Sequence, residues 1–88
     1  PTVLAAQAAN ELLDISGTKA SFVLTVYEGK IYMSARSIDE VNVQIIAEKL
    51  GGGGHINSSG AQFDHTNVEE AIKALKQTID TMIEEGDI

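Results

Sequence analysis

The stretch Asn42-Val43-Gln44-Ile45-Ile46-Ala47-Glu48-Lys49-Leu50-Gly51-Gly52-Gly53-Gly54-His55 decides how this chain is read. Val43, Ile46, Ala47 and Leu50 follow the i, i+3, i+4, i+7 spacing of a helical apolar stripe, and Asn42 stands where an N-cap belongs. Four glycines then stop the helix. Glycine reaches positive φ at little cost and lets successive backbone N–H groups converge on one point, which suits an anion such as phosphate. A helix C-cap followed by a loop needs one glycine; four carry a conformational entropy cost that a turn does not require. Two common phosphate motifs are excluded. A P-loop needs Gly-Lys-Ser/Thr opening a helix, and a dinucleotide fingerprint needs its glycines between a strand and a helix. Here the glycines follow a helix, and no lysine comes after them.

On the N-terminal side, Ser21 to Tyr27 is β-branched and aromatic, Glu28-Gly29 reads as a tight turn, and Lys30 to Arg36 forms the second arm of a hairpin. Lys30, Tyr32, Ser34 and Arg36 share one face of that arm. Before the hairpin, Thr2 to Ile15 reads as an alanine-rich helix with Leu4, Ala8, Leu12 and Ile15 on one face and Gly17 just beyond its end. After the glycine run, Ser59 to Phe63 is a short strand. Thr66-Asn67-Val68-Glu69 has a capping-box pattern opening a last helix, with Val68, Ile72, Leu75, Ile79 and Met82 or Ile83 on its apolar face. The fold class is therefore α/β, a small mixed β-sheet covered by helices in the order α-β-β-α-β-α. If the strands flanking the middle helix lie parallel, their connection is a right-handed crossover.

The whole chain makes one small domain of 88 residues. Without cysteine it has no disulfide and no thiolate metal site. No apolar run approaches the roughly 20 residues needed to span a bilayer. The net charge of −7 argues against general nucleic-acid binding, DNA included. Its distribution is uneven. Residues 64–88 carry seven acids against Lys73 and Lys76, whereas residues 30–63 balance Asp39, Glu40 and Glu48 against Lys30, Arg36 and Lys49. The neutral segment holds the glycine run and the one arginine, so a small anionic ligand is permissible there.

Several residues could serve such a ligand. A guanidinium at Arg36 with the Ser34 hydroxyl two residues away can clamp a phosphate from the side, although an arginine on a half-exposed strand is usually just solvated. His55 is placed to donate to a phosphate oxygen, although a lone histidine is more often a structural one. Ser58 and Ser59 add hydroxyls, and serines near turns are commonplace. His65 reads as a surface histidine near a helix start. No cluster has metal-ligand spacing and no Ser/His/Asp arrangement is legible, so the sequence offers pieces of a binding site without a catalytic engine.

Ser34-Ala35-Arg36-Ser37, the helix Asn42 to Leu50, and Gly51-Gly52-Gly53-Gly54-His55-Ile56-Asn57-Ser58-Ser59-Gly60 together resemble the DHHA1 domain of the DHH phosphoesterases. The common form there is Ser-x-Arg-Ser, a helix, then Gly-Gly-Gly-Gly-His-x-x-Ala-Ala-Gly. Leu4-Ala5-Ala6-Gln7-Ala8-Ala9, Ile15-Ser16-Gly17 and Ala47-Glu48-Lys49-Leu50 look most like the membrane-anchored cyclic di-AMP phosphodiesterases. The resemblance implies a larger enzyme in which an upstream DHH domain holds two Mn2+ ions and activates water, while this domain grips the nucleotide. Carried over by residue, Ser34 and Arg36 contact phosphate, Gly52, Gly53 and Gly54 form the backbone cradle, and His55 faces the cleft. Ser58 and Ser59 depart from the usual alanine pair. No Asp-His-His signature is present, so no catalytic residue and no metal are expected on this chain, and the isolated chain is expected to be inactive. The implied ligand is cyclic or linear di-adenylate. The chain itself would not touch the membrane, but the full protein would be anchored there with this domain on the cytoplasmic face; a homodimer stays open. Two other readings are carried: a domain of an oligoribonuclease or pAp phosphatase, and a non-catalytic RNA-binding module like the C-terminal domain of alanyl-tRNA synthetase.

Overall fold

The hairpin, the middle helix and the glycine run build one sheet with helices on both faces. The computed structural model describes residues 2–87. In chain order the elements are α1 (Thr2–Leu13), β1 (Ala20–Tyr27), β2 (Lys30–Ser37), α2 (Val43–Lys49), β3 (Gly53–His55), β4 (Ser58–Phe63) and α3 (Val68–Glu84). The strand order across the sheet is β1-β2-β4-β3. The α/β class stands, and so does the α-β-β-α-β-α order, with the three-residue β3 added before the last strand. The crossover between parallel strands does not: β2 pairs antiparallel with β4, as does every other neighbouring pair, so the sheet is antiparallel rather than mixed. The physical reason is β3. The chain leaves α2 along the far edge, forms three residues of strand, and turns tightly back into β4 beside β2.

Glu28 and Gly29 both take positive φ, 50° and 75°, the mirror-image turn that matches the twist of a two-residue hairpin. Asn42 caps α2 by accepting from the Ile45 N–H at 3.2 Å. Asn67, not Thr66, caps α3: its side chain accepts from the Glu70 N–H at 2.8 Å. The capping-box reading was thus one residue early, because Asn67 already has extended backbone and a short acceptor side chain.

Met33, Ala35, Val43, Ile46, Ala47, Ala61, Leu75 and Met82 form the core between the sheet and α2 and α3. Met82 is buried and Ile83 is exposed. The other face of the sheet carries α1, and here the structure departs from the expected apolar face. Ala5 and Ala9, at 2% and 0% exposure, pack on β1 and β2. Leu4, Leu12 and Ile15 are 70%, 40% and 57% exposed. The small alanines let the helix lie close to the sheet, and the bulky residues are turned to its flank. The Ser21 hydroxyl donates to the Ala9 carbonyl at 2.6 Å and fixes that contact.

Candidate functional site: a polar shelf on the open half of the sheet

Strand register brings the candidate residues together. Arg36 is opposite Ser58, and Ser58 is opposite His55. Directly opposed residues on antiparallel strands point to the same face, and two strand spacings cover about 9.6 Å. Arg36, Ser58 and His55 therefore form one row. Ser34, Gly60 and Gly53 form the next row on the same face. This is the face that carries α1, but α1 packs on β1 and β2 and leaves the β4–β3 half uncovered. Ser58 and His55 are exposed, while Ser34, Arg36, Gly53 and Gly60 are half-buried. The result is a shallow shelf whose floor is two glycines and whose rim is a guanidinium, a hydroxyl and an imidazole.

The Arg36 guanidinium donates to the Ala35 carbonyl at 2.8 Å, and no carboxylate pairs with it among the described residues. Its remaining donors are available to an anion. The carboxylates of Asp39 and Glu40 are instead engaged by Lys19, at 3.8 and 3.9 Å.

The glycines separate into kinds. Gly51 has φ +89°, with its N–H bonded to the Glu48 carbonyl at 3.1 Å and that of Gly52 to the Ala47 carbonyl at 2.8 Å. That is a Schellman closure of α2. A Cβ on Gly52 would stand 2.0 Å from the Gly60 carbonyl oxygen, and one on Gly54, at φ +144°, 2.6 Å from the Ser58 oxygen. Both are glycine because β3 lies hard against β4. Gly53 alone has neither a positive φ nor an atom within 4 Å of a Cβ. The fold thus accounts for glycine at three of the four positions, Gly51, Gly52 and Gly54, on steric and conformational grounds. Gly53, on the open row beside Ser34, remains without a structural reason.

Ser59, which the sequence offered as a further polar contact, points the other way. It is 7% exposed, and its hydroxyl donates to the Val43 carbonyl at 2.8 Å, tying β4 to the first turn of α2. His65 sits apart from the shelf, at φ 57° in the loop before α3. Asn57 was not singled out from sequence. Its amide donates to the Ser37 hydroxyl at 2.8 Å, and that hydroxyl donates to the Val41 carbonyl at 2.6 Å. This latch holds the end of β2 to the β3–β4 turn and so sets Arg36 beside Ser58. The Asn-x-Ser spacing around a tight turn was its only sequence signal.

Two grooves, of about 430 and 260 Å3, lie along α3. None of the shelf residues lines either. Among the described residues no group of three or more His, Cys, Asp or Glu side chains stands together to hold a metal ion. The donors of the shelf suit an anion, and its residues do not fit a metal centre. No helix among them is long and apolar enough to cross a membrane.

Residues 2–81 match the DHHA1 domain. The chain is 48% identical to the cyclic-di-AMP phosphodiesterase PdeA of Listeria monocytogenes, over 90% of this chain and 12% of that protein. It is 47% identical to the cyclic-di-AMP phosphodiesterase GdpP of Bacillus subtilis, over 96% of this chain and 13% of that protein. The crystal structure of an exopolyphosphatase-related protein from Bacteroides fragilis superposes with a TM-score of 0.78 at 31% identity, covering 84% of this chain and 22% of that one. The chain thus spans about an eighth of the length of these two phosphodiesterases. On the match across nearly its whole length, the chain belongs to the DHHA1 domain family.

Proposed function

We propose that this domain holds the phosphate of a di-adenylate nucleotide for a cyclic di-AMP phosphodiesterase. The observation that carries the reading is the Arg36–Ser58–His55 row on an uncovered sheet face, with Gly53 beside it, in a domain 47–48% identical to cyclic-di-AMP phosphodiesterases. Arg36 supplies a permanent positive charge and paired N–H donors to the phosphate oxygens. The hydroxyls of Ser34 and Ser58 and the ring of His55 complete the contacts. Gly53 lets the ligand lie flat on the backbone. Fixing the phosphodiester in this way orients the scissile bond and neutralises its charge, which lowers the entropic part of the barrier.

An open shelf holds only one side of its ligand. The reading therefore assigns a second wall, the hydrolysis itself and two manganese ions to a DHH domain elsewhere in the longer protein. The longer protein is read as membrane-anchored through segments outside this sequence, with this domain on the cytoplasmic side. An NMR titration of the 88-residue chain with cyclic and linear di-AMP tests the shelf. Shifts are expected at Arg36, Gly53, His55 and Ser58. Silence at those four while others move would assign the ligand elsewhere. Tighter, steeply salt-dependent binding of tRNA would favour the RNA-module reading instead.

A further inference from the structure

We propose that Gln62, held in one orientation by Asp64, reads the adenine base of the nucleotide whose phosphate sits at Arg36. The inference rests on the phosphate-binding reading of the shelf and adds a base subsite to it. Strand register carries the shelf one row further. Beyond the row of Ser34, Gly60 and Gly53, Gln62 of β4 stands opposite Tyr32 of β2, on the same face as Arg36 and Ser58. Four residues of strand separate Ser58 from Gln62, about 13.6 Å. The two ends of that span differ in chemistry. One carries a guanidinium, a hydroxyl and an imidazole; the other carries a phenol and a primary amide. Between them lie Gly60 and Gly53, with no side chain to lift a ligand off the backbone. A nucleotide laid along β4 with its phosphate at the Arg36 end brings the outer edge of its base to Gln62.

The amide is not free to turn over. Gln62 Nε2 donates to Asp64 Oδ1 at 2.8 Å. Carboxylate oxygens only accept, so this bond decides which end of the amide is nitrogen, and the reverse orientation would set oxygen against oxygen. Gln62 is exposed and makes no other hydrogen bond among the described residues. Its carbonyl acceptor and its second N–H donor are therefore open to a ligand. A surface glutamine bonded to a nearby aspartate is ordinary; Gln62 differs in standing at the end of a glycine floor whose other end suits a phosphate.

The open pair is complementary to adenine. The amino group at C6 donates to Gln62 Oε1, and a ring nitrogen beside it accepts from Nε2, the bidentate pairing that glutamine makes with adenine. Guanine carries a carbonyl at the same carbon. Gln62 Oε1 would then face another acceptor, and the bond to Asp64 opposes the amide flip that would relieve the clash. Asp64 is thus a positioning residue that acts through Gln62. Tyr32, half-buried beside the amide, gives the base an aromatic flank.

Isothermal titration of the chain with linear di-AMP and linear di-GMP tests the proposal, the readout being the ratio of the two affinities. The wild type should prefer di-AMP by at least about fivefold, the low end of what one good bidentate base contact discriminates. Gln62→Met keeps the bulk without the amide and should bring the ratio close to one, mainly by weakening di-AMP. Asp64→Ala lets the amide turn and should lower the ratio by improving di-GMP. Arg36→Ala should weaken both nucleotides alike and leave the ratio unchanged. A wild-type ratio near one, or one that survives Gln62→Met or Asp64→Ala, would overturn the base subsite; loss of both affinities in Arg36→Ala would still uphold the phosphate reading. Binding of neither nucleotide, or binding indifferent to Arg36→Ala, would overturn both.

Discussion

Arg36 and Ser58 stand directly opposite each other across β2 and β4, and the Arg36 guanidinium makes its one hydrogen bond among the described residues to the adjacent Ala35 carbonyl. Most of its donors are therefore unspent. Replacing Arg36 by Ala should weaken di-AMP binding by about 10- to 100-fold, the range set by the roughly 1.5–3 kcal/mol of a hydrogen bond to a charged group. Arg36→Lys should recover only part of this, because an ammonium lacks the planar fork. Isothermal titration on each variant measures the loss. Urea unfolding should show wild-type stability for both, since the side chain anchors nothing in the core.

Gly53 and its neighbours should respond to alanine in opposite ways. Gly53→Ala meets open space and an ordinary φ, so its stability should stay within about 1 kcal/mol of wild type while binding falls. Gly52→Ala and Gly54→Ala force a methyl group into the backbone of β4 and should lose about 1–3 kcal/mol or more of stability. Urea midpoints and titrations on the three variants test whether Gly53 serves the ligand while Gly52 and Gly54 serve the sheet.

The latch between Asn57 and Ser37 should be a stability element with a binding consequence. Ser37 is 5% exposed and sits between the Asn57 amide and the Val41 carbonyl. Ser37→Ala removes the two short links of the latch but leaves the Asn57 amide its 3.3 Å bonds to the Asp39 and Val41 carbonyls, and should cost about 1–2 kcal/mol. It also loosens the β3–β4 turn, which the Ser37 and Val43 N–H groups still hold through the Asn57 and Ile56 carbonyls, so Ser58 and His55 should lose some amide-exchange protection and binding should weaken modestly without any shelf residue being altered. Ser59→Ala removes one hydrogen bond to Val43 and should cost only about 0.5–1.5 kcal/mol, with no change in affinity.

The sequence was legible where local chemistry decides the outcome. The β1–β2 hairpin and both the start and end of α2 follow from turn residues, β-branched runs and an Asn cap, each a matter of a few neighbouring residues. What it did not disclose depends on long-range placement. Leu4, Ala8 and Leu12 form a sound apolar stripe, but packing selected the neighbouring Ala5 and Ala9 for the sheet contact, because a close helix–sheet approach favours small side chains. β3 was invisible since three residues, two of them glycine, have no strand propensity of their own; pairing with β4 makes them a strand. The Arg36 and His55 candidacies were readable by type and spacing. Their alignment through Ser58 required the antiparallel register, which the expected parallel crossover would have denied.

The absence of a ligand cluster for a metal gives a prediction about the chain on its own. No three acidic or histidine side chains converge among the described residues, so the fold is expected to stand without a bound ion. Dialysis against EDTA should leave the thermal midpoint unchanged within error, and added Mn2+ should neither raise it nor broaden the NMR signals of the shelf residues selectively. On the shelf the Ser58 hydroxyl stands opposite His55 with no hydrogen bond between them and no group orienting the ring, so incubation of the chain with cyclic di-AMP and Mn2+ should leave the nucleotide intact over hours by chromatography. Turnover that followed the purified chain and disappeared with Arg36→Ala would place the chemistry on this domain and overturn its assignment as a binding half.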